Sequence, residues 1–537
     1  MINPNSEVGH EIEKTGRAPR AAGRGTPCAP RLPPARAKFT RRRLPDLLPI
    51  KTLLKPPVAT SESGVKLLAI TLASFAALAS LRAASPASPD PDWQVVPGIL
   101  ARIIPPAFPA RNFDITRYGA VADGRTDCTA ALAAAIHACV AAGGGHVVVP
   151  AGGFLTGPIR LQSNVDLHLA ATNSVLRFST NFAAYLPAVL TRFEGIECYN
   201  YSPLISAVAQ HNVAVTGPGT LDGQADDSSW LAWKGGKHAV PGTQTAARTR
   251  LDEMNNHDVP VDQRRFGAGD FLRPDFVQFQ RCENVLIEGV NLRRSPMWEL
   301  HPLLCTNVTV RGVDIFSHGA NNDGCDPESC RDVLIEKCRF DTGDDCIAIK
   351  AGTRGFGPVE DVLVTDCTFL HGHGCSIGSD TDSGVRNMTV QHCTFDGTDI
   401  GVRLKSRRGR GGLVENITYS DLTMHNVGQA IVISSYYYGL PKPGMHDEPK
   451  PVAADTPIWH HIVIKNIVAT GGTKDAGLIM GLPEMPAKDI ELENISISAK
   501  SGLRIGYADG VSLRNVKVSA DQGPPFSVED TALNVTR

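Results

Sequence analysis

The chain has 537 residues, 42% of them hydrophobic and 6% aromatic, with 51 Gly, 13 Cys, and 53 Lys plus Arg against 55 Asp plus Glu. This composition has enough apolar surface for a core and too much glycine and proline for long helices, which excludes a wholly disordered chain, a collagen and a coiled coil. The near-balance of charge also excludes a generally basic nucleic-acid binder.

That balance is uneven along the chain. Residues 1–55 carry 12 Lys/Arg and 4 Asp/Glu, a net of +8, which leaves −10 for the remainder. The Pro/Arg-rich leader, residues 1–64, has no apolar periodicity and reads as disordered. Residues 65–85 have a basic start, an apolar run from Leu67 to Leu81, and small residues at Ala83 and Ala84. This is the pattern of a signal peptide, and it is too short for a membrane span. A signal peptide belongs at the start of a chain, so one expectation is translation from Val65 without the leader; Arg41, Arg42 and Arg43 hint at a twin-arginine signal but lie too far from the apolar run, and read rather as a solvated basic tail. Residues 86–110 read as a linker. Signal removal would give a secreted or periplasmic protein with no stable membrane insertion.

From residue 111 the chain reads as one domain. A short Ala-rich helix is predicted from about Asp127 to Ala142, followed by the strand HVVVP, and a helix there would cap the open end of a solenoid. The repeats follow. An Asn or Asp leads into alternating apolar residues at Asn284, Asn307, Asp332, Asp361, Asn387 and Asn416, with intervals of 23, 25, 29, 26 and 29 residues. Weaker copies begin at Asn212, His461, Asp489 and Gly510. Alternation with β-branched residues means strands, and the interval means one coil per repeat. The fixed leucine framework of leucine-rich repeats is missing. We therefore predict an all-β right-handed parallel β-helix over residues 111–537. The polar stretch from Asp222 to Arg273, with Trp230 and Trp233, breaks the period and is expected to wall one side of a cleft.

Cysteine positions follow the same register. Cys282, Cys305 and Cys330 lie two residues before repeat starts; Cys338, Cys367 and Cys393 lie six after; Cys346 and Cys375 each follow a repeat-closing Phe by six. Three inward columns of small apolar side chains are expected. A disulfide is open, with Cys325 and Cys330 the local candidates, while zinc fits poorly because stacked columns are not tetrahedral.

Charged residues gather in the turns after successive repeat strands. NNDGCD holds Asn321, Asn322, Asp323 and Asp326; TGDDC holds Asp344 and Asp345; HGHGCSIGS holds His373; GVRLKS holds Arg403 and Lys405. Neighbouring coils stack about 4.8 Å apart, so these groups share one face. A lone Asp-Asp turn or a lone surface histidine is usually solvated. Four such groups on four consecutive repeats are better explained by chemistry. Crowded carboxylates hold at least one proton, and a protonated acid beside ionised partners suits glycoside hydrolysis. Arg403 and Lys405, on alternate residues of one strand, face the same way and suit an anionic sugar.

The order Asn-x-Asp, Asp-Asp, His-Gly, Arg-x-Lys resembles the polygalacturonases of glycoside hydrolase family 28, over roughly Phe113 to the C-terminus. The resemblance implies a parallel β-helix that hydrolyses α-1,4-linked galacturonic acid in pectin by an inverting mechanism. It implies Asp345 as general acid, Asp323 and Asp344 as activators of the water, and His373 as support for their ionisation. Asn321, Arg403 and Lys405 would bind substrate, with Arg403 and Lys405 on the galacturonate carboxylate. Tyr437 matches a tyrosine beside the cleaved sugar, although Tyr436 and Tyr438 leave the register open. Two departures, Asn322 and Leu404 within the motifs, remove no charge. No metal or organic cofactor is expected, the partner is an acidic polysaccharide or oligosaccharide rather than nucleic acid, and a monomer is expected. NNDGCDPESC and the 222–273 excursion favour exo action. The alternatives are a rhamnogalacturonan hydrolase, a Ca²⁺-dependent pectate lyase-like enzyme and a non-catalytic pectin-binding β-helix.

Overall fold

A computed structural model describes residues 95–235, 242–352 and 355–536. The leader and the signal segment lie outside the described residues. Among those described, no helix is long and apolar enough to cross a membrane.

Three parallel ladders wind into a right-handed β-helix, and the repeat pattern is their register. In the first ladder Val213, Val285, Val308, Val333, Val362, Met388, Ile417, Ile462 and Ile490 pair in succession. Their side chains stack inward as one column of the core. The residue before each is the repeat-opening polar one, and its backbone is left-handed: φ is +56° at Asn284, +57° at Asn307, +56° at Asp332 and +60° at Asp361. Asn and Asp tolerate that conformation better than other residues with a Cβ, which explains their recurrence. Asn307 Nδ2 donates to Asn284 Oδ1 at 2.7 Å and Asn284 Nδ2 to Asn212 Oδ1 at 3.0 Å, so the amides also bond along the solenoid axis.

In the second ladder Leu292, Ile315, Phe340, Phe369 and Phe395 align. The three phenylalanines stack at centroid distances of 5.5 and 4.6 Å. The third ladder runs through Leu300–Leu303, Ile347–Ile349, Cys375–Ile377, Ile400–Lys405 and Gln429–Ser434. The predicted cap is helix Thr129–Ala141, whose Leu132, Ala135, Ile136 and Cys139 are buried against the first coil.

Four features depart from or add to what the sequence predicts. The linker contains a helix, α1 (Val95–Arg102). Its Val96 and Ile99, with Ile103 just beyond, form a short apolar stripe that buries on Leu334 and Leu363. Arg102 reaches Asp332 and Asp361, both at 2.7 Å, and so neutralises the one place where the polar ladder stacks two carboxylates. Second, all twelve described cysteines are free and buried, Cys325 and Cys330 included. Third, only two cysteine columns exist: Cys375 pairs with Ile347, not Cys346, and Ile347 bridges in turn to Cys325. The turn after Phe369 is one residue shorter than that after Phe340, which slips the register. Fourth, the 222–273 excursion is not merely irregular. It contains helix α2 (Thr245–Asn256), and Trp230 and Trp233 sink into an aromatic cluster with Phe182 and Tyr201 rather than facing a cleft.

Candidate active site

The four charged groups converge at the start of the third ladder. Asp323 lies on one coil, Asp344 and Asp345 on the next, His373 and Ser376 on the third, and Arg403 and Lys405 on the fourth. Oxygens of Asp323, Asp344 and Asp345 lie within 4.8 Å of one another.

Asp345 is buried and fully engaged. Its Oδ1 accepts from Arg403 at 2.8 Å and from Ser376 Oγ at 2.7 Å, and its Oδ2 from Lys405 Nζ at 2.5 Å. Burial alone would raise its pKa, but Lys405 and then Arg403 overrule burial and hold it well below the usual carboxylate range. Arg403 and Lys405 do share a face, as their alternation requires, because both reach this one carboxylate.

Asp323 is buried in the opposite electrostatic setting. Its Oδ2 meets Lys350 Nζ at 3.2 Å, while Oδ1 has no protein partner among the described residues. Burial, reinforced by Asp344 and Asp345 and opposed by Lys350, pushes it up to about 7. Behind it Asp326 is fully buried, with Lys350 at 3.4 Å, and burial together with Asp323 keeps it well above the usual carboxylate range. Glu299, also fully buried, is pushed up by burial to about 8. Lys350 contacts both Asp323 and Asp326, and its ammonium rests 4.3 Å from the Trp298 ring centroid.

Asp344 is the accessible member of the triad. Its side chain is 29% exposed against 1% for Asp345, and its Oδ1 stands 3.9 Å from His373 Nε2. The other ring nitrogen of His373 meets Asp399 Oδ2 at 3.1 Å, and that contact with His373 lowers the Asp399 pKa. The Asp345 backbone N–H donates to Asp344 Oδ1 at 2.9 Å and fixes the pair's orientation.

Asn321 accepts from the buried Arg273 at 2.7 Å, so the end of the excursion clamps this turn. Asn322 points inward to the Ser295 and Met297 carbonyls and is structural. The three tyrosines differ in their surroundings: Tyr436 is tucked against Asp447 at 2.8 Å, Tyr438 is exposed, and Tyr437 carries Lys405 Nζ 5.2 Å from its ring centroid. A polar cleft of about 480 Å³, lined by none of the three aspartates, is walled by Arg248, Asp252 and Asn255 of α2 and by Asp380, Arg407 and Arg410 from loops after the third ladder. The excursion thus does wall a cleft, with α2 rather than with its tryptophans.

Sequence reasoning missed Lys350, Ser376, Asp399 and Arg273. Ser376 was recoverable in principle, since it sits in register with Arg403 on the next coil. Nothing in the spacing announces Arg273.

Carboxylates in contrasting environments, gathered on one face of a parallel β-helix, are the features of a glycosidase. The comparisons name the family. The sequence profile described as Glycosyl hydrolases family 28 matches residues 269–520, and one described as Rhamnogalacturonase A/epimerase, pectate lyase-like, matches residues 112–202. The crystal structure of a hyperthermoactive exopolygalacturonase from Thermotoga maritima is 37% identical, with a TM-score of 0.70 over 83% of this chain and 96% of that one. A "Probable polygalacturonase" from Vitis vinifera is 26% identical over 77% of this chain and 82% of its own length. An "Endo-polygalacturonase" from Pectobacterium carotovorum subsp. carotovorum is 27% identical over 66% and 79%. The chain belongs to glycoside hydrolase family 28 and is a glycosidase.

Proposed function

We propose that this enzyme is a polygalacturonase that hydrolyses α-1,4-linked galacturonic acid in pectin, removing residues from a chain end with inversion at the anomeric carbon. The observation that carries the reading is the pairing of Arg403 and Lys405 with one catalytic carboxylate, at 2.8 and 2.5 Å. Two cations held there, one of them on a tyrosine face, suit a sugar that carries its own carboxylate. Exo action draws support from the 37% identical exopolygalacturonase and from the α2 wall beside the cleft.

The roles of the aspartates differ from those the resemblance implies. A general acid must hold a proton and reach the leaving oxygen. Asp345 does neither: protonation would compete with two cations, and its oxygens are enclosed. Asp344 is the accessible carboxyl beside His373, so the acid role moves to Asp344. Asp323, with Oδ1 unpartnered, is placed to take the proton of the attacking water, and the negative charge of the ionised Asp345 beside it helps to orient that water. Crowding within 4.8 Å is shorter than the roughly 6.5–9.5 Å usual for inverting pairs. Inversion is nonetheless the better reading, because Asp345 is pinned by three donors and is a poor nucleophile.

The lyase alternative is disfavoured by Lys350, Arg403 and Lys405, which occupy both oxygens of Asp345 and one of Asp323 and place positive charge where Ca²⁺ would sit. The rhamnogalacturonase-like profile covers the capping coils and touches none of these residues. Secretion or periplasmic export, from residues 65–85, is part of the same proposal. The test is digestion of polygalacturonate, rhamnogalacturonan and methyl-esterified pectin, reading reducing ends, product length and product anomer by NMR. Release of short products of inverted configuration from polygalacturonate alone is expected. Products of retained configuration would refute inversion, and a mixture of long oligomers would refute exo action.

A further inference from the structure

Outside the catalytic triad, three metal-ligating side chains meet on the second-ladder side of neighbouring coils. His318 Nε2 lies 2.7 Å from Asp341 Oδ1, and His371 Nδ1 lies 2.8 Å from the same oxygen. The two imidazole rings are 5.6 Å apart between centroids, and all three ligand atoms fall within 4.8 Å of one another. Asp341 is buried, whereas His318 and His371 are 41% and 63% exposed, so solvent reaches the histidines while the carboxylate is fixed from beneath.

We propose that His318, Asp341 and His371 form a binding site for an imidazole-preferring divalent metal ion of the Zn²⁺ class. Two nitrogens and one carboxylate oxygen suit such an ion far better than Ca²⁺ or Mg²⁺, which take oxygen ligands. Bonds of about 2.0–2.2 Å place tetrahedral ligand atoms about 3.3 Å apart. The observed contacts of 2.7 and 2.8 Å need only a small outward rotation of two exposed rings. The fourth position faces solvent. One opposing charge is near: Arg339 NH2 lies 3.9 Å from Asp341 Oδ2, the oxygen turned away from the histidines, and Arg339 is also paired with Asp314 at 3.2 Å.

The site would bear on the active site through the backbone. Asp341 precedes Asp344 by three residues, and His371 precedes His373 by two. Their turns are already tied: the His373 N–H donates to the Asp344 carbonyl at 3.0 Å, and Cys346 Sγ donates to the His371 carbonyl at 2.9 Å. An ion spanning the three coils would staple the turns that carry the accessible catalytic carboxyl and its histidine.

The test is titration of ZnCl₂ into untagged, metal-stripped full-length protein by calorimetry, with Co²⁺ absorption as a direct report of nitrogen ligation. One equivalent should bind, raise the melting temperature and give a ligand-field spectrum. His318→Ala combined with His371→Ala should abolish all three, and Asp344→Asn should preserve them, which separates this site from the catalytic carboxylates. Because both histidines are exposed, the double variant should fold; His371→Gln alone, expected to weaken binding at least about tenfold, provides a milder check. Failure of Zn²⁺ to bind, or binding unchanged in the double variant, would overturn the proposal and leave Asp341 as a clip for two histidines.

Discussion

At the scale of residues, the site works by giving three neighbouring aspartates different surroundings. Asp345 is held ionised by Lys405 and Arg403, while burial pushes Asp323 up to about 7. These shifts act on stability in opposite directions. Asp323 has a folded pKa above its ordinary 3.8, so it favours folding fully at low pH, and that contribution is lost as pH rises through about 7. Asp345 is depressed, so its contribution is present above the ordinary value and is lost as pH falls through its folded one. Asp323→Asn should therefore flatten the decline of melting temperature between about pH 4 and 7, as followed by calorimetric scans. Lys350 lowers the Asp323 pKa, so Lys350→Met should move the acid limb of the kcat/KM profile upward by about one pH unit and reduce kcat/KM about tenfold or more. A pH–rate series on the purified variant checks this.

At the scale of elements, the polar ladder shows how local conformation and packing agree. Asn307 combines a φ of +57°, a 2.7 Å bond to Asn284 Oδ1 and a 2.7 Å bond to the Ile104 carbonyl. Asn307→Ala loses the bonds and keeps an unfavourable left-handed residue, for a cost of about 2–3 kcal/mol. Asn307→Gly loses the bonds alone and should cost less; denaturant unfolding distinguishes the two. In the phenylalanine stack, Phe369→Ala leaves a cavity between two rings and should cost about 3–5 kcal/mol by the same measurement. These ladders were legible in the sequence because a coil repeats its chemistry every 23 to 29 residues, and Asn, a Val-like residue and Phe recur at fixed offsets. Helix α1 was not legible, because its Val96 and Ile99, with Ile103 just beyond, bury against Leu334 and Leu363, more than two hundred residues away. The Cys346 and Cys375 misalignment escaped for a related reason: counting from a landmark Phe assumes equal turns, and a one-residue deletion in a turn leaves no other trace.

At the scale of the molecule, the solenoid turns sequence periodicity into a site. Four motifs spread over 85 residues, from Asn321 to Lys405, become neighbours because each coil returns the chain to the same face. Their convergence was legible from the order of the motifs. The division of labour proposed for the aspartates was not, since it rests on which carboxylate the cations reach and which one solvent reaches. The excursion was legible as an interruption, but its helix and the Arg273 clamp on Asn321 required the folded chain.

The most direct measurement compares wild type, Asp344→Asn and Asp345→Asn on polygalacturonate and on an aryl galacturonide whose phenol leaves without a proton. If Asp344 is the acid and Asp345 serves the water, Asp344→Asn loses about 10²-fold or more on the polymer and recovers most of its rate on the aryl substrate, while Asp345→Asn fails on both. The reverse pattern, full activity of Asp344→Asn on the polymer, or an unsaturated ultraviolet-absorbing product would contradict the account.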